Sequence, residues 1–190
     1  MVSSIVSIIL AGIFTDNMVL SKFLGICPFL GVSKKVGTAV SMGGAVTIVM
    51  LLATAVTWPI YHFLLEKNYS YLQTIVFILI IASLVQLLEI IIKKFFKSLY
   101  SSFGIYLSLI TTNCAVLGIT ILNFTESYNF IESIFNALGA GLGFTLAMFI
   151  FSGVRVRLES SKIPEFLRGL PITLIAAALV SLSFMGFAGI

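Results

Sequence analysis

Long apolar runs, separated by short polar interruptions, make up most of the chain. Six of them reach or approach the roughly 20 residues that a helix needs to cross a bilayer. They predict helices over Val2–Cys27, Thr38–Phe63, Tyr71–Ile92, Leu99–Leu122, Phe130–Val154 and Leu170–Phe187. The apolar residues are continuous and do not alternate, so the strands of a membrane barrel are not predicted. Helices also satisfy their own backbone groups in lipid. The expected fold is an all-α integral membrane protein, with 1–190 forming a single membrane domain. Two runs should be interrupted. The stretch from Val2 to Ser33 is too long for one straight span and contains Asp16, Asn17, Ser21, Lys22, Gly25 and Pro28. Pro28 lacks an N–H and disfavours helix at Cys27, predicting a break there. In the fourth run, Thr111-Thr112-Asn113 directly precedes Cys114 and predicts a second break.

The two interruptions belong to an internal repeat. Cys27-Pro28-Phe29-Leu30-Gly31-Val32 and Cys114-Ala115-Val116-Leu117-Gly118-Ile119 share the pattern Cys-x-x-Leu-Gly-(Val/Ile), and these are the only two cysteines. Leu20-Ser21 aligns with Leu107-Ser108 in the same register. After an insertion around Asn123–Phe130, Gly44-Ala45 aligns with Gly139-Ala140, and Leu79-Ile80 with Leu174-Ile175. Repeat 1 covers about 1–97 and repeat 2 about 98–190. Each has three helices, an odd number, so the halves are expected to cross the membrane in opposite senses. Sites in such inverted repeats lie near the midplane on interrupted helices.

Composition strengthens the membrane assignment. The chain of 190 residues is 59% hydrophobic and 9% charged, with a mean hydropathy of +1.17. Soluble domains are nearer a quarter charged. The net charge of +4 does not point to nucleic acid, because its placement follows topology. Lys34, Lys35, Lys93, Lys94, Lys97, Arg155, Arg157, Lys162 and Arg168 all fall in or beside the loops after the first, third and fifth helices. Basic loops stay cytoplasmic, so both termini should face outward in a multi-pass protein of the prokaryotic cytoplasmic (inner) membrane. The N-terminal run has no preceding Lys or Arg and no clear cleavage site. It reads as the start of the first helix, not a removable signal.

Few residues could carry chemistry. Cys27 and Cys114 could be small apolar packing residues. Their equivalent places beside two helix breaks instead put them near the pseudo-two-fold axis, where soft thiolates suit an iron–sulfur cluster, Cu(I) or zinc. A cluster normally takes four thiolates, so two would be half of a site and a second chain would supply the rest. Asp16, Lys22 and Glu89 lie in or at the edges of apolar runs, where charge is costly unless paired or facing a cavity. They form either an ion path or internal structural pairs. His62, beside Trp58 and Tyr61, reads as part of an interfacial aromatic belt. Gly43, Gly44, Gly139, Gly141 and Gly143 read as points of close helix approach. No catalytic residue is predicted: there is no nucleophile–base pair, His-rich metal motif or nucleotide fingerprint, so catalysis by the chain alone is not expected.

The run Asp16-Asn17-Met18-Val19-Leu20-Ser21-Lys22-Phe23-Leu24-Gly25-Ile26-Cys27-Pro28-Phe29-Leu30-Gly31-Val32-Ser33-Lys34-Lys35 closely resembles the A-type subunit of the Rnf ion-translocating electron-transport complex, of the NqrDE/RnfAE family. So do Leu109-Ile110-Thr111-Thr112-Asn113-Cys114-Ala115-Val116-Leu117-Gly118 and the closing Phe184-Met185-Gly186-Phe187-Ala188-Gly189. The sister family is the E-type subunit of the sodium-translocating NADH:quinone reductase. Lys22, Pro28 and Gly31 look more like the Rnf branch. Ser108 departs from the family, which usually has Pro there, and this bears on the break in the fourth helix. The resemblance implies a component of a ferredoxin:NAD oxidoreductase complex, an enzyme only as an assembly, that couples electron transfer to Na⁺ or H⁺ translocation. It implies that Cys27 and Cys114 are iron ligands of a 2Fe-2S cluster shared with the homologous, oppositely oriented E-type subunit of the Rnf complex. Flavin-carrying and iron–sulfur subunits of the same complex, and membrane lipid, would be the other partners. The alternatives are the corresponding E-type subunit of the quinone reductase and an inverted-repeat small-solute transporter.

Overall fold

The computed structural model describes residues 2–32, 36–65, 73–95, 109–110, 113–161 and 164–188. Among these it is helical, with no strands. The helices are α1 (Val2–Leu10), α2 (Ile26–Val32), α3 (Val36–Ile60), α4 (Gln73–Phe95), α5 (Cys114–Thr125), α6 (Phe130–Glu159) and α7 (Leu170–Ala188). A π-helical turn, Ala11–Thr15, extends α1, and another, Tyr61–Leu65, extends α3. Two apolar helices are long enough to cross a membrane, Val36–Phe63 and Phe130–Leu158. Shorter apolar helical stretches are Ile5–Thr15, Thr74–Leu87, Cys114–Thr125 and Leu170–Gly186.

The predicted first helix is two helices. Between them, 16–25 forms an irregular segment. Pro28 does not make the break: it sits in the first turn of α2, where a missing N–H has no intrahelical partner to lose. The break lies upstream of Cys27. The fourth run is interrupted just before Cys114, as its polar triplet predicts, because Asn113 is extended (φ −74°, ψ 111°). Its upstream part, 99–108, with Ser108, and Thr111 and Thr112 of the triplet lie outside the described residues. The fifth helix runs past Val154 to Glu159, so Arg155 and Arg157 occupy its last turns and not a loop.

The centre of the fold is the crossing of α3 and α6, which pack on each other more extensively than any other pair. Small residues set their separation. A methyl on Gly43 would stand 2.6 Å from Thr145 Oγ1, and a methyl on Gly141 would stand 2.7 Å from Thr47 Oγ1. Each threonine returns its hydroxyl to its own helix, Thr47 to Gly43 O at 2.8 Å and Thr145 to Gly141 O at 2.9 Å. These contacts are reciprocal. As α3 advances from Gly43 to Thr47, α6 retreats from Thr145 to Gly141, so the helices are antiparallel. Gly43 thus faces Thr145, and Gly141 faces Thr47. Around the crossing lies a continuous core that includes Met42, Val46, Met50, Phe144, Met148 and Phe151, all fully buried.

α1 and its π turn lie against the middle of α6. A methyl on Gly139 would meet the Ile9 backbone at 3.0 Å, and one on Gly143 would meet Gly12 O at 2.6 Å. Gly43, Gly139, Gly141 and Gly143 therefore sit at close approaches as expected, whereas Gly44 does not: it is exposed on the outer face of α3, and an added methyl there would meet nothing within 4 Å. The same packing leaves Ile48, Ile78, Leu79, Leu87, Phe149, Leu179 and Leu182 exposed. Exposed apolar side chains in such number suit a hydrocarbon solvent.

Candidate functional site

Two short stretches carry the cysteines, and the fold brings them together. The irregular segment 16–25 is held by Asn17, which is 0% exposed. Its Oδ1 accepts from Val19 N (3.0 Å) and Leu20 N (3.3 Å); its Nδ2 donates to Ile13 O (3.1 Å) and Gly143 O (2.8 Å). Ser21 Oγ donates to Thr15 O at 2.9 Å, and Ser181 Oγ of α7 donates to Leu20 O. Leu24 N closes the segment onto Met18 O at 2.8 Å. Non-helical backbone needs partners within the protein wherever water is excluded, and these bonds supply them for the Val19, Leu20 and Leu24 amides and the Leu20 carbonyl.

The segment ends at Gly25, whose φ of +83° is strained for any residue with a Cβ. A Cβ there would also stand 2.9 Å from Phe144, 3.0 Å from Asn113 Oδ1 and 3.1 Å from Ala115 Cβ. Asn113 and Ala115 flank Cys114, and Gly25 precedes Cys27 by two residues. A seam therefore joins the start of α2 to the start of α5. The halves grip each other on both sides of it. A Cβ on Gly118 would meet Leu24 Cδ1 at 2.5 Å, and one on Gly31 would meet Leu109 Cδ1 at 3.5 Å. Behind the seam, Phe29 stacks on Phe151 with centroids 4.1 Å apart.

Cys27 lies in the first turn of α2, and Cys114 is the first residue of α5. Both are exposed, and they form no disulfide. Asn113 caps α5, its Oδ1 accepting from Ala115 N at 3.0 Å. The N-terminal end of α5 favours negative charge on a ligand thiolate. Among the described residues no three His, Cys, Asp or Glu stand together to hold a metal ion. The donor set here is thus two accessible soft sulfurs on neighbouring helix starts. It fits half of a four-thiolate cluster site.

Of the charges expected in or beside the membrane, two form a pair. Lys22 Nζ is 3.5 Å from Asp16 Oδ1, and both side chains are exposed. They line a cavity of about 430 Å³ with Met18, Glu126, Tyr128 and Asn136. Tyr128, in the α5–α6 loop, has its phenol pushed above the ordinary value, first by burial and then by Glu126, Asp16 and Glu132. Asn136 Nδ2 donates to Asn123 Oδ1 at 2.7 Å behind the cavity wall. Met18 connects this cavity to the seam, since a Cβ on Gly118 would lie 3.8 Å from its sulfur. The structure therefore brings Asp16 and Lys22 together on a cavity whose lining includes neither cysteine. Glu89 is on α4, and its side chain lies outside the described residues.

His62 stacks on Trp58 (5.4 Å), which meets Phe130 edge-on (5.3 Å). Trp58 Nε1 reaches Tyr128 O at 3.4 Å, fixing the far ends of α3 and α5 together. At the opposite end Arg155 donates to Leu30 O at 2.6 Å, tying α6 to α2. Reading the sequence missed the roles of Asn17, Arg155, Glu126 and Tyr128. A polar Asn in an apolar run was the available signal for the first. Nothing local marks the others, which act across the fold.

The family model described as Rnf-Nqr subunit, membrane protein, matches residues 5–190. The chain is 57% identical to the A-type subunit of the Na⁺-translocating ferredoxin:NAD⁺ oxidoreductase complex of Acetobacterium woodii, covering 98% of this chain and 97% of that one. It is 50% identical to the A-type subunit of the ion-translocating oxidoreductase complex of Syntrophotalea carbinolica, over 96% and 95%. It is 44% identical to the A-type subunit of the proton-translocating ferredoxin:NAD⁺ oxidoreductase complex of Clostridium ljungdahlii, over 98% and 97%. Likeness over the whole length, with both cysteine stretches inside the matched region, leads to one conclusion: the chain belongs to the Rnf-Nqr family of membrane-protein subunits.

Proposed function

We propose that the chain is the A-type subunit of an ion-translocating ferredoxin:NAD⁺ oxidoreductase complex, and that Cys27 and Cys114 hold half of a 2Fe-2S cluster within the membrane. The observation that carries this is the seam at Gly25, Asn113 and Ala115, which sets the two cysteine-bearing helix starts side by side. Such a cluster, when bound, takes up and gives back one electron. The chain's own part is to present two thiolates on rigid helix starts, with Asn17 and Asn113 fixing the backbone that carries them. The exposed face of both cysteines leaves room for a homologous, inverted partner to supply the other two.

The reciprocal Gly–Thr contacts of antiparallel α3 and α6, and the paired Leu–Gly contacts across the seam, support an inverted repeat of six spans. Arg155 and Leu30 mark the basic end, followed in sequence by Lys34 and Lys35, and support a cytoplasmic side there with both termini outward. The cavity of Asp16, Lys22 and Glu126 supports a role in passing a monovalent cation. Relatives' names carry both Na⁺ and proton, and either would be drawn to these carboxylates.

The test is electron paramagnetic resonance with iron analysis on the anaerobically reduced complex. Wild type is compared with Cys27→Ser and Cys114→Ser at equal subunit content. Loss of one two-iron signal supports the proposal. An unchanged signal with unchanged electron transfer in both variants rejects it and leaves the cysteines as packing residues.

A further inference from the structure

Asn113 does more than its capping role requires. Its carboxamide oxygen accepts from Ala115 N, a task that Ser, Thr or Asp performs as well at a helix start. Its other half, Nδ2, is a two-proton donor. Asn113 is only 4% exposed, and no described residue accepts from Nδ2. A buried amide donor left without an acceptor is costly, so its retention calls for an acceptor. The carboxamide lies in the seam itself, because its oxygen would be 3.0 Å from a Cβ at Gly25. Cys114 follows it directly, and Cys27 follows Gly25 by two residues. A neutral thiol is a weak acceptor. The same sulfur as an iron-bound thiolate carries charge, and hydrogen bonds to charged acceptors are the stronger ones.

We propose that Asn113 is a positioning and tuning residue whose Nδ2 donates to an iron-bound cysteine thiolate at this seam and raises the reduction potential of the site. The acceptor is a thiolate of this chain and not an inorganic sulfide, because Nδ2 is sealed from the outer surface; neither sulfur lies within hydrogen-bonding reach of Nδ2 here, so the donation requires a cysteine side chain to turn toward it. The sign follows from charge. The added electron makes the sulfurs more negative, so a donor stabilises the reduced form more than the oxidised one. This inference rests on the cluster reading above.

The test uses the whole complex under anaerobic potentiometric titration, following the two-iron signal. Asn113→Ser keeps an oxygen cap but lacks the amide donor. Its fully reduced signal should keep wild-type intensity. At the potential that half-reduces wild type, its reduced-to-oxidised ratio should fall on the order of tenfold, equivalent to about 59 mV for one electron. An unchanged midpoint at full signal intensity overturns the inference while leaving the cluster reading standing. Absence of the signal in wild type defeats both. A second measurement needs no variant: wild-type complex carrying amide-¹⁵N asparagine should show a ¹⁵N hyperfine coupling at the reduced cluster. Its absence overturns the donation.

Discussion

Gly25 and Asn113, from opposite halves of the chain, touch so closely that a single methyl on Gly25 would stand 3.0 Å from the Asn113 carboxamide oxygen. Gly25→Ala combines that contact with a left-handed φ, worth about 1–2 kcal/mol for a residue with a Cβ, and with Phe144 and Ala115 in the way. It should lower the melting temperature of the complex and reduce iron bound per complex. Gly37→Ala, at an exposed helical glycine with nothing within 4 Å, is the control and should be neutral or slightly stabilising. Equal behaviour of the two variants would mean that the seam does not hold the site.

The α3–α6 crossing predicts an asymmetry. At Gly43 an added methyl meets Thr145 Cα at 2.9 Å as well as its side chain, so the helices themselves must part. At Gly141 the three nearest atoms all belong to the Thr47 side chain. Each Gly→Ala change should cost about 1–3 kcal/mol as overpacking. Thr47→Gly should rescue most of Gly141→Ala, whereas Thr145→Gly should rescue Gly43→Ala only in part. Denaturation of the four single and two double variants measures both couplings.

Arg155 closes the basic end by donating to Leu30 O in the last turn of α2. A cation there also complements the carbonyl end of that short helix. Arg155→Ala should loosen α2 by about 1.5–3 kcal/mol, the range for a charged hydrogen bond. Faster amide hydrogen exchange confined to 26–32 would register it. Unchanged exchange in that stretch would show that α2 is held by packing alone.

Asp16 and Lys22 pair at 3.5 Å on an accessible wall, where an ion pair contributes only about 0–1 kcal/mol. Asp16→Asn should therefore leave the melting temperature nearly unchanged, yet slow ion uptake driven by ferredoxin oxidation in vesicles. A large loss of stability with normal uptake would assign the pair to structure.

How much of this was legible in the sequence depends on distance along the chain. The polar triplet before Cys114 and the polar residues in the first run announced both breaks, because unpaired backbone in lipid needs local polar partners. Pro28 was misleading, since the same residue that ends a helix also begins one, and the difference lies in where Asn17 and Gly25 send the preceding backbone. Arg155 and Arg157 looked like loop residues because they are charged, yet long side chains can remain helical while their ends reach polar partners. The meeting of Gly43 with Thr145 and of Gly141 with Thr47 could not be read from sequence, because many Gly, Ala and Thr residues in these runs offer the same small side chains. The seam, the Asn113 donor and the cavity around Asp16 are contacts between segments far apart in sequence, and no local pattern encodes them.

The most direct measurement of the central claim is Mössbauer counting of two-iron centres in ⁵⁷Fe-enriched complex, comparing wild type, Cys27→Ser, Cys114→Ser and the double variant. If both thiols hold one cluster, each single variant loses or alters the same single centre and the double variant loses no more, because groups acting as a unit are not additive. Losses that add to two centres, or iron spectra unchanged in all three variants, would contradict it.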